Sequence, residues 1–240
     1  MTHRLRRQQG VTLMELLVAM AIMGVISTMI LVSWFALQDS FASSVTSNIQ
    51  RENASQTLSR VQREIRDAEA QSGSNQPALL RAHPYYIAFY TTFNKSGNTL
   101  PVTQPRLVAY KLYDDGSLYK FVDSGTTPDG EIEGVDGVTS GTTASDDPSS
   151  YELSEQLNGE GATKVLDHIV NVTRPGGAVP VFEYLFYDAA GDAQYEWFAA
   201  TATDRANTRT VTTRLLVDLN PGHSPQYADL KITSQMRNQR

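Results

Sequence analysis

Gly10-Val11-Thr12-Leu13-Met14-Glu15-Leu16-Leu17-Val18-Ala19-Met20-Ala21-Ile22, continuing as MGVISTMILVSWFAL to Leu37, is the stretch on which the architecture of this chain turns. From Val11 to Leu37 it is 27 residues long and overwhelmingly apolar. A helix rising about 1.5 Å per residue would make it roughly 40 Å, more than the ~30 Å hydrocarbon core of a bilayer. No charged residue lies between Leu16 and Leu37, whereas Arg4, Arg6 and Arg7 stand in front and no acid precedes Glu15. Positive charge on the leading flank keeps that end in the cytoplasm and sends the remainder across. A secretory signal peptide has a shorter apolar stretch that closes on a small-residue cleavage site. A plain signal anchor fits the length but has no use for Glu15. A charged carboxylate at the centre of an apolar span costs on the order of 2.5–3.5 kcal/mol, less near an interface, and is normally kept for a function.

The run Gly10 to Ile22, with its basic leader, resembles the class III signal of type IV prepilins and pseudopilins. That signal is a short basic leader, a glycine, an apolar residue, Thr-Leu, and a glutamate five residues past the cut. The resemblance covers residues 4 to 37 and departs at Val11, where the family most often has phenylalanine. It implies a prepilin peptidase that cuts between Gly10 and Val11 on the cytoplasmic face and methylates the new amine. It implies as further partners other pilin or pseudopilin subunits, an inner-membrane assembly platform and membrane lipid, and it makes Glu15 the assembly residue. The chemistry follows independently. A glycine before the scissile bond lets a protease approach the backbone closely. Cleavage discards the three arginines and leaves a helix with a positive amine and one carboxylate at nearly the same depth, which suits stacking of parallel helices.

Beyond the apolar span the helical pattern continues. Gln38 to Gln71 contains no proline or glycine, and Ile49, Leu58, Val61, Ile65 and Ala68 form a stripe at spacings that include three and four, with Arg and Glu opposite. Ser72-Gly73-Ser74 and Pro77 are the expected stop signals. The competing reading is two helices with a break near Ser40 to Ser44. Downstream the periodicity changes to that of strands. Tyr85 to Tyr90 is aromatic and β-branched; Arg106 to Tyr113 and Ser117 to Val122 flank Asp114-Asp115-Gly116, a strong hairpin signal. A second hairpin has Val181 to Tyr187 and Ala193 to Ala199 around Asp188 to Asp192. Thr210 to Leu219 alternates, and Leu230 to Met236 follows a Pro-Gly loop; Leu153 to Val172 reads equally as short helix or strand. The expected fold class is α+β, with a long N-terminal helix packed on a mostly antiparallel β domain. The expected organisation is a leader at 1–10, a transmembrane or filament-core helix at 11–37, its soluble continuation at 38–72, and a β-rich ectodomain at 73–240 with a flexible acidic loop at about 123–150. The order of the later segments, ending in Met236-Arg237-Asn238, is similar to the larger minor pilins of the PilW and J-type pseudopilin group, whose two sheets flank the helix.

The loop from Asp123 to Ser150 is rich in Gly, Ser, Thr, Pro and Asp. Asp129, Glu131, Glu133 and Asp136 are the candidate oxygen ligands if it binds calcium, a hard cation. Their spacing does not meet the EF-hand arrangement, so a solvated surface loop is the preferred reading and no metal or cofactor is expected. The absence of cysteine excludes disulfides, thiolate zinc sites and a cysteine nucleophile. His3, His83, His168 and His223 sit in unrelated contexts, and no HExxH, GxSxG or P-loop occurs. Gly159 to Lys164 lacks P-loop spacing and reads as a turn, and Asp167-His168 is a polar pair beside a strand. Nothing favours an enzyme. The net charge is −6, and without the three leading arginines 17 basic residues face 26 acidic ones, a balance that repels nucleic acid.

The function expected from these features is a minor pilin or pseudopilin, a structural and assembly subunit of a type IV pilus or a related secretion or competence filament. Removal of the leader would leave 230 residues, large for a main repeating subunit, which favours a tip or priming role. The alternative is a ligand-binding subunit of such a filament, an adhesin or a DNA-uptake pilin. The expected location is the cytoplasmic membrane, crossed once with the ectodomain outside, and then an extracellular or periplasmic filament.

Overall fold

The structure, a computed structural model, describes residues 12–70, 77–93, 105–113, 115–122, 162–173, 177–199, 201–221 and 226–237. It divides into two compact units, Met1–Thr46 and Ser47–Arg240. Helix α1, Leu13–Arg66, is unbroken through residues 40–44, so a single helix replaces the two-helix alternative. The absence of Gly and Pro there leaves nothing to interrupt the backbone ladder.

In the second unit, α1 meets two antiparallel sheets. The first has the order β1-β2-β3-β4-β5, with β1 at Leu79–Ala82, β2 at Tyr86–Thr91, β3 at Arg106–Leu112, β4 at Leu118–Val122 and β5 at Thr163–Leu166. The second has the order β7-β6-β8-β9, with β6 at Phe182–Tyr187, β7 at Ala193–Glu196, β8 at Thr208–Asp218 and β9 at Tyr227–Gln235. A short helix α2, Ala202–Asn207, precedes β8. The α+β class is as expected, with the long helix packed on antiparallel sheets. Strand β1 and helix α2 were not anticipated, and the ambiguous Leu153 to Val172 stretch contributes the short strand β5.

One core joins all three layers. Ala54, Leu58, Val61 and Ile65 of α1 cluster with Ile87, Phe89, Val108 and Leu118 of the first sheet and with Phe182, Tyr184, Val211 and Leu215 of the second. A second cluster, including Tyr86, Ala88, Tyr90, Leu107, Ala109 and Phe121, lies on the opposite face of the first sheet. Every residue of β2 is therefore buried, and its near-continuous apolar run is that of a strand covered on both faces.

Three expectations are corrected. The helix ends at Arg66, ahead of the expected Gln71, because the first sheet takes over its backbone. Ala68 bridges to Thr91, the Glu69 N–H donates to the Tyr90 carbonyl at 3.0 Å, and the Thr92 N–H donates to Asp67 at 3.2 Å. Strand pairing satisfies groups that a further helical turn would otherwise have satisfied. Ile49 is 52% exposed and lies off the core. Glu64, expected on the polar side, is 1% exposed.

The turns are those their residues require. Gly116 closes the β3–β4 hairpin at φ +77°, with the Asp115 Oδ1 accepting the Ser117 N–H at 2.8 Å. Its carbonyl accepts the Ile169 N–H at 2.9 Å. In the β6–β7 hairpin Gly191 has φ +87°, and the Asp188 carboxylate accepts the N–H groups of Ala190 and Asp192, both at 2.9 Å. Those bonds, that of Asp192 foremost, hold the Asp188 carboxyl below its usual range. The side chain of Asn171, fully buried, ties the segment between the sheets by accepting from the Leu216 N–H at 2.8 Å and donating to the Arg214 carbonyl at 3.0 Å.

A Cβ at Gly116 would lie 2.6 Å from the Ile169 carbonyl oxygen, on a backbone that L side chains rarely adopt. Gly116→Ala is expected to lose about 2–3 kcal/mol. Gly191→Ala, with nothing within 4 Å of the new Cβ, meets only the conformational penalty and is expected to lose less. Thermal unfolding of the two variants compared with wild type measures both.

Candidate functional site

Gly10 and Val11 lie outside the described residues, as do Asp129, Glu131, Glu133 and Asp136. Glu15 is described, and its surroundings are specific. Thr12 precedes the first helical residue and Glu15 is the third residue in. The Glu15 carboxylate accepts the Thr12 N–H at 2.9 Å and the Thr12 hydroxyl at 3.0 Å, and the Glu15 N–H donates to Thr12 Oγ1 at 3.3 Å. This reciprocal arrangement is a capping box, which satisfies donors that a helix start leaves unpaired and sets a negative charge at the positive end of the helix dipole. The quoted motif already held its signature, Thr-Leu-Met-Glu, so the role of Thr12 was available in the sequence and was passed over there.

From Leu13 to Leu37 every residue is exposed, including Leu17, Ile22, Met23, Ile30, Trp34 and Phe35. Among the described residues, α1 is the one helix long and apolar enough to cross a membrane. A continuous apolar surface of this length is not at rest in water; it belongs in lipid or against other apolar helices. Two of its hydroxyls bond within the helix. Thr28 Oγ1 donates to the Gly24 carbonyl at 2.5 Å and Ser33 Oγ to the Met29 carbonyl at 2.9 Å. These two hydroxyls thus have a partner four residues back, which lowers the cost of placing them against an apolar surrounding.

Residues 5–31 match the family model described as the prokaryotic N-terminal methylation motif. That motif, read with the exposed apolar helix that follows it, supports a subunit of the type IV prepilin or pseudopilin kind. No curated protein matches the chain. The motif implies processing by a prepilin peptidase and assembly with other pilin-type subunits, and with the apolar helix it fits membrane anchoring and a pilus filament. It marks a structural-subunit class, which is not a class of enzymes.

Helix α1 also carries a buried carboxylate, which sequence reasoning missed. Glu64 is buried on the face of α1 that meets the first sheet. Lys120 of β4 donates to its Oε1, the Tyr110 hydroxyl of β3 donates to its Oε2 at 2.7 Å, and Arg60 lies 3.4 Å from Oε1. Its main-chain carbonyl accepts the Thr91 hydroxyl of β2 at 3.0 Å. No sequence signal distinguishes Glu64 from its solvated neighbours on the helix. Beside this cluster, α1 and β5 border a cavity of about 530 Å³ lined by Asn53, Gln56, Arg60, Tyr110 and Lys164 among others. His168 has φ 59° and lies 3.7 Å from Asp167, which also pairs with Lys164 at 3.5 Å, an exposed group of side chains. Among the described residues no group of three or more His, Asp or Glu is placed to hold a metal.

Lys120 is 3% exposed, so removing it strands a buried charge. Lys120→Met alone is expected to lose about 3–5 kcal/mol, and adding Glu64→Gln to recover most of that loss. Burial pushes the hydroxyls of Tyr86, Tyr110 and Tyr184 above the ordinary 10.0, for Tyr110 with a further push from Glu64. The folded state therefore holds these protons more tightly than the unfolded chain. Their contribution is fully present below pH 10 and lost as pH rises past it. Burial lowers the pKa of Lys120 despite Glu64, so it acts in the opposite direction as pH approaches 10.5, while Tyr85, raised by burial as well, adds to the tyrosines. Melting of the full chain in detergent should fall between pH 9 and pH 11, and Tyr184→Phe should flatten the fall; a flat wild-type profile would contradict the burial of these hydroxyls.

Proposed function

We propose that this chain is a minor pilin or pseudopilin, anchored with its N-terminus cytoplasmic, cut between Gly10 and Val11, and inserted at low copy in a filament as a tip or priming subunit. The observation that carries the reading is the methylation motif coinciding with a capping box at the head of an exposed apolar helix. The size of the folded unit, nine described strands in two sheets, supports a low-copy subunit over a closely repeated one. In this reading Glu15 is the docking residue and Thr12 its holding partner. Before assembly the carboxylate is kept satisfied by Thr12 at the membrane interface. In the filament it pairs with the Val11 amine of an adjacent subunit, so each incoming helix settles at a fixed axial offset. Low dielectric strengthens that pair beyond a surface ion pair, though desolvation offsets much of the gain.

Coexpression with a prepilin peptidase is expected to give a chain whose N-terminal mass begins at Val11 with a methylated amine, and a bulky residue at Gly10 is expected to leave the precursor intact. Glu15→Ala should insert and be cleaved normally yet lose crosslinks to partner subunits at constant membrane level. Thr12→Val, which removes the hydroxyl and keeps the carboxylate, should retain crosslinks that Glu15→Ala loses. An N-terminus near Ser40 would mean an ordinary signal peptide and would end the filament reading. Undiminished crosslinking of Glu15→Ala would remove the docking role.

A further inference from the structure

The second sheet turns one face to the core; on the other, among the described residues, Leu216 is buried, Thr210 and Thr212 are partly exposed, and the outward residues of β7 and β9 are exposed. Phe182, Tyr184 and Phe186 of β6 are buried, so Glu183, Leu185 and Tyr187 point the other way. Register carries that outer face across all four strands: Tyr195 of β7 sits opposite Leu185, Leu185 opposite Thr210 of β8, and Thr210 opposite Gln235 of β9. This row spans about 14 Å, three inter-strand spacings. Beside it Thr212 and Thr233 are paired, their hydroxyls 3.2 Å apart. At the β7 end Tyr195 is 78% exposed, Tyr187 is 43% exposed on the diagonal, and Trp197, just past the strand, is 59% exposed. Aromatic rings this open are uncommon on a surface with no partner.

The cations Lys231 and Arg214 on this face are already paired. Glu183 pairs with Lys231 at 3.2 Å, and Arg214 holds Asp229 through Nε at 2.9 Å and Nη2 at 2.5 Å. A face that offers aromatic rings at one end, hydroxyls and an amide in the middle, and cations that are already paired complements an uncharged ligand that is itself half apolar and rich in hydroxyls. Nucleic acid and anionic lipid would need unpaired cations here. We propose that the outer face of the second sheet binds a neutral glycan chain, with a sugar ring stacked on Tyr195 and its hydroxyls met by Thr210, Thr212 and Gln235. Sugar rings present C–H groups to the negative face of an aromatic ring, and their hydroxyls both donate and accept, as threonine and glutamine side chains do.

The proposal stands apart from the docking role of Glu15 and is tested separately. Full-length protein in a non-sugar detergent is run by native affinity electrophoresis through soluble amylose, mixed-linkage glucan, glycol chitin and, as the anionic control, polygalacturonate. Cellulose and chitin co-sedimentation covers the insoluble chains. Retention by at least one neutral polysaccharide is expected, weakened at least about tenfold by Tyr195→Ala and measurably by the near-isosteric Thr212→Val. Arg51→Ala on α1 should bind as wild type does. Tyr195 is exposed, so its replacement should leave the melting temperature unchanged, and the same scan checks this. No retention by any neutral chain, retention indifferent to Tyr195→Ala, or retention by polygalacturonate alone would overturn the proposal. Loss of subunit crosslinks in Tyr195→Ala without loss of glycan retention would make the face a contact between subunits and overturn it too.

Discussion

A buried carboxylate on an otherwise apolar helix face constrains everything packed against it. Glu64 must find donors, and it finds them on α1 itself and on β3 and β4, while its carbonyl receives Thr91 of β2. One turn of helix is thereby fixed against three strands of the first sheet. Desolvating the Glu64–Lys120 pair cancels much of its Coulomb attraction, so the cluster adds little net stability over an apolar alternative. What it adds is directionality. Leucine at this position would be accommodated over a range of helix rotations, whereas the carboxylate is satisfied in one. The surrounding contacts follow that setting: Thr57 Oγ1 reaches the Val165 carbonyl of β5 at 3.2 Å, and Gln62 Nε2 reaches the Thr233 carbonyl of β9 at 3.4 Å.

The parts of this fold that were legible in the sequence are those where local chemistry and tertiary context agree. The long helix has no breaker to contradict its pattern. The β3–β4 and β6–β7 hairpins announce themselves through Gly116 and Gly191, which stand at positive φ, and through acids that bond their own turns. Leu58, Val61 and Ile65 fell on the core as their spacing required. What stayed hidden depends on partners distant in sequence. Strand β1 is four residues of Leu-Leu-Arg-Ala and is a strand because β2 pairs with it. The helix stops at Arg66 because Thr91 and Thr92 intercept its last carbonyls, 24 or more residues on. Helix α2 is different: Thr201 and Asp204 form a capping box whose pattern was present and unread, overshadowed by the strands around it.

The candidate site divides along the same line. Glu15 was conspicuous because a lone charge in an apolar run needs a reason. Its partner in this structure, Thr12, lies three residues away and is likewise local. Glu64 was inconspicuous because a glutamate in a polar helical stretch needs none. Only the arrival of Tyr110 and Lys120, 46 and 56 residues further on, turns it into a buried centre.

Two of the carboxylates on α1, Glu15 and Glu64, show two ways of holding a charge, with opposite consequences for exchange. The buried donors to Glu64, Tyr110 and Lys120, come from separate strands, and neither can leave without stranding the charge in an apolar core. All three contacts between Glu15 and Thr12 arise within a single turn, on a side chain that is exposed. A local set of this kind forms without any tertiary structure and can be given up one bond at a time. Removing the Thr12 N–H from Glu15 leaves an ordinary helix-start donor, which lipid headgroups or water can meet. A carboxylate held this way by neutral donors is satisfied while alone, and its bonds can be exchanged singly for those of another donor. The same helix therefore carries one acid whose partners fix its packing in the folded unit, and another whose partner is replaceable.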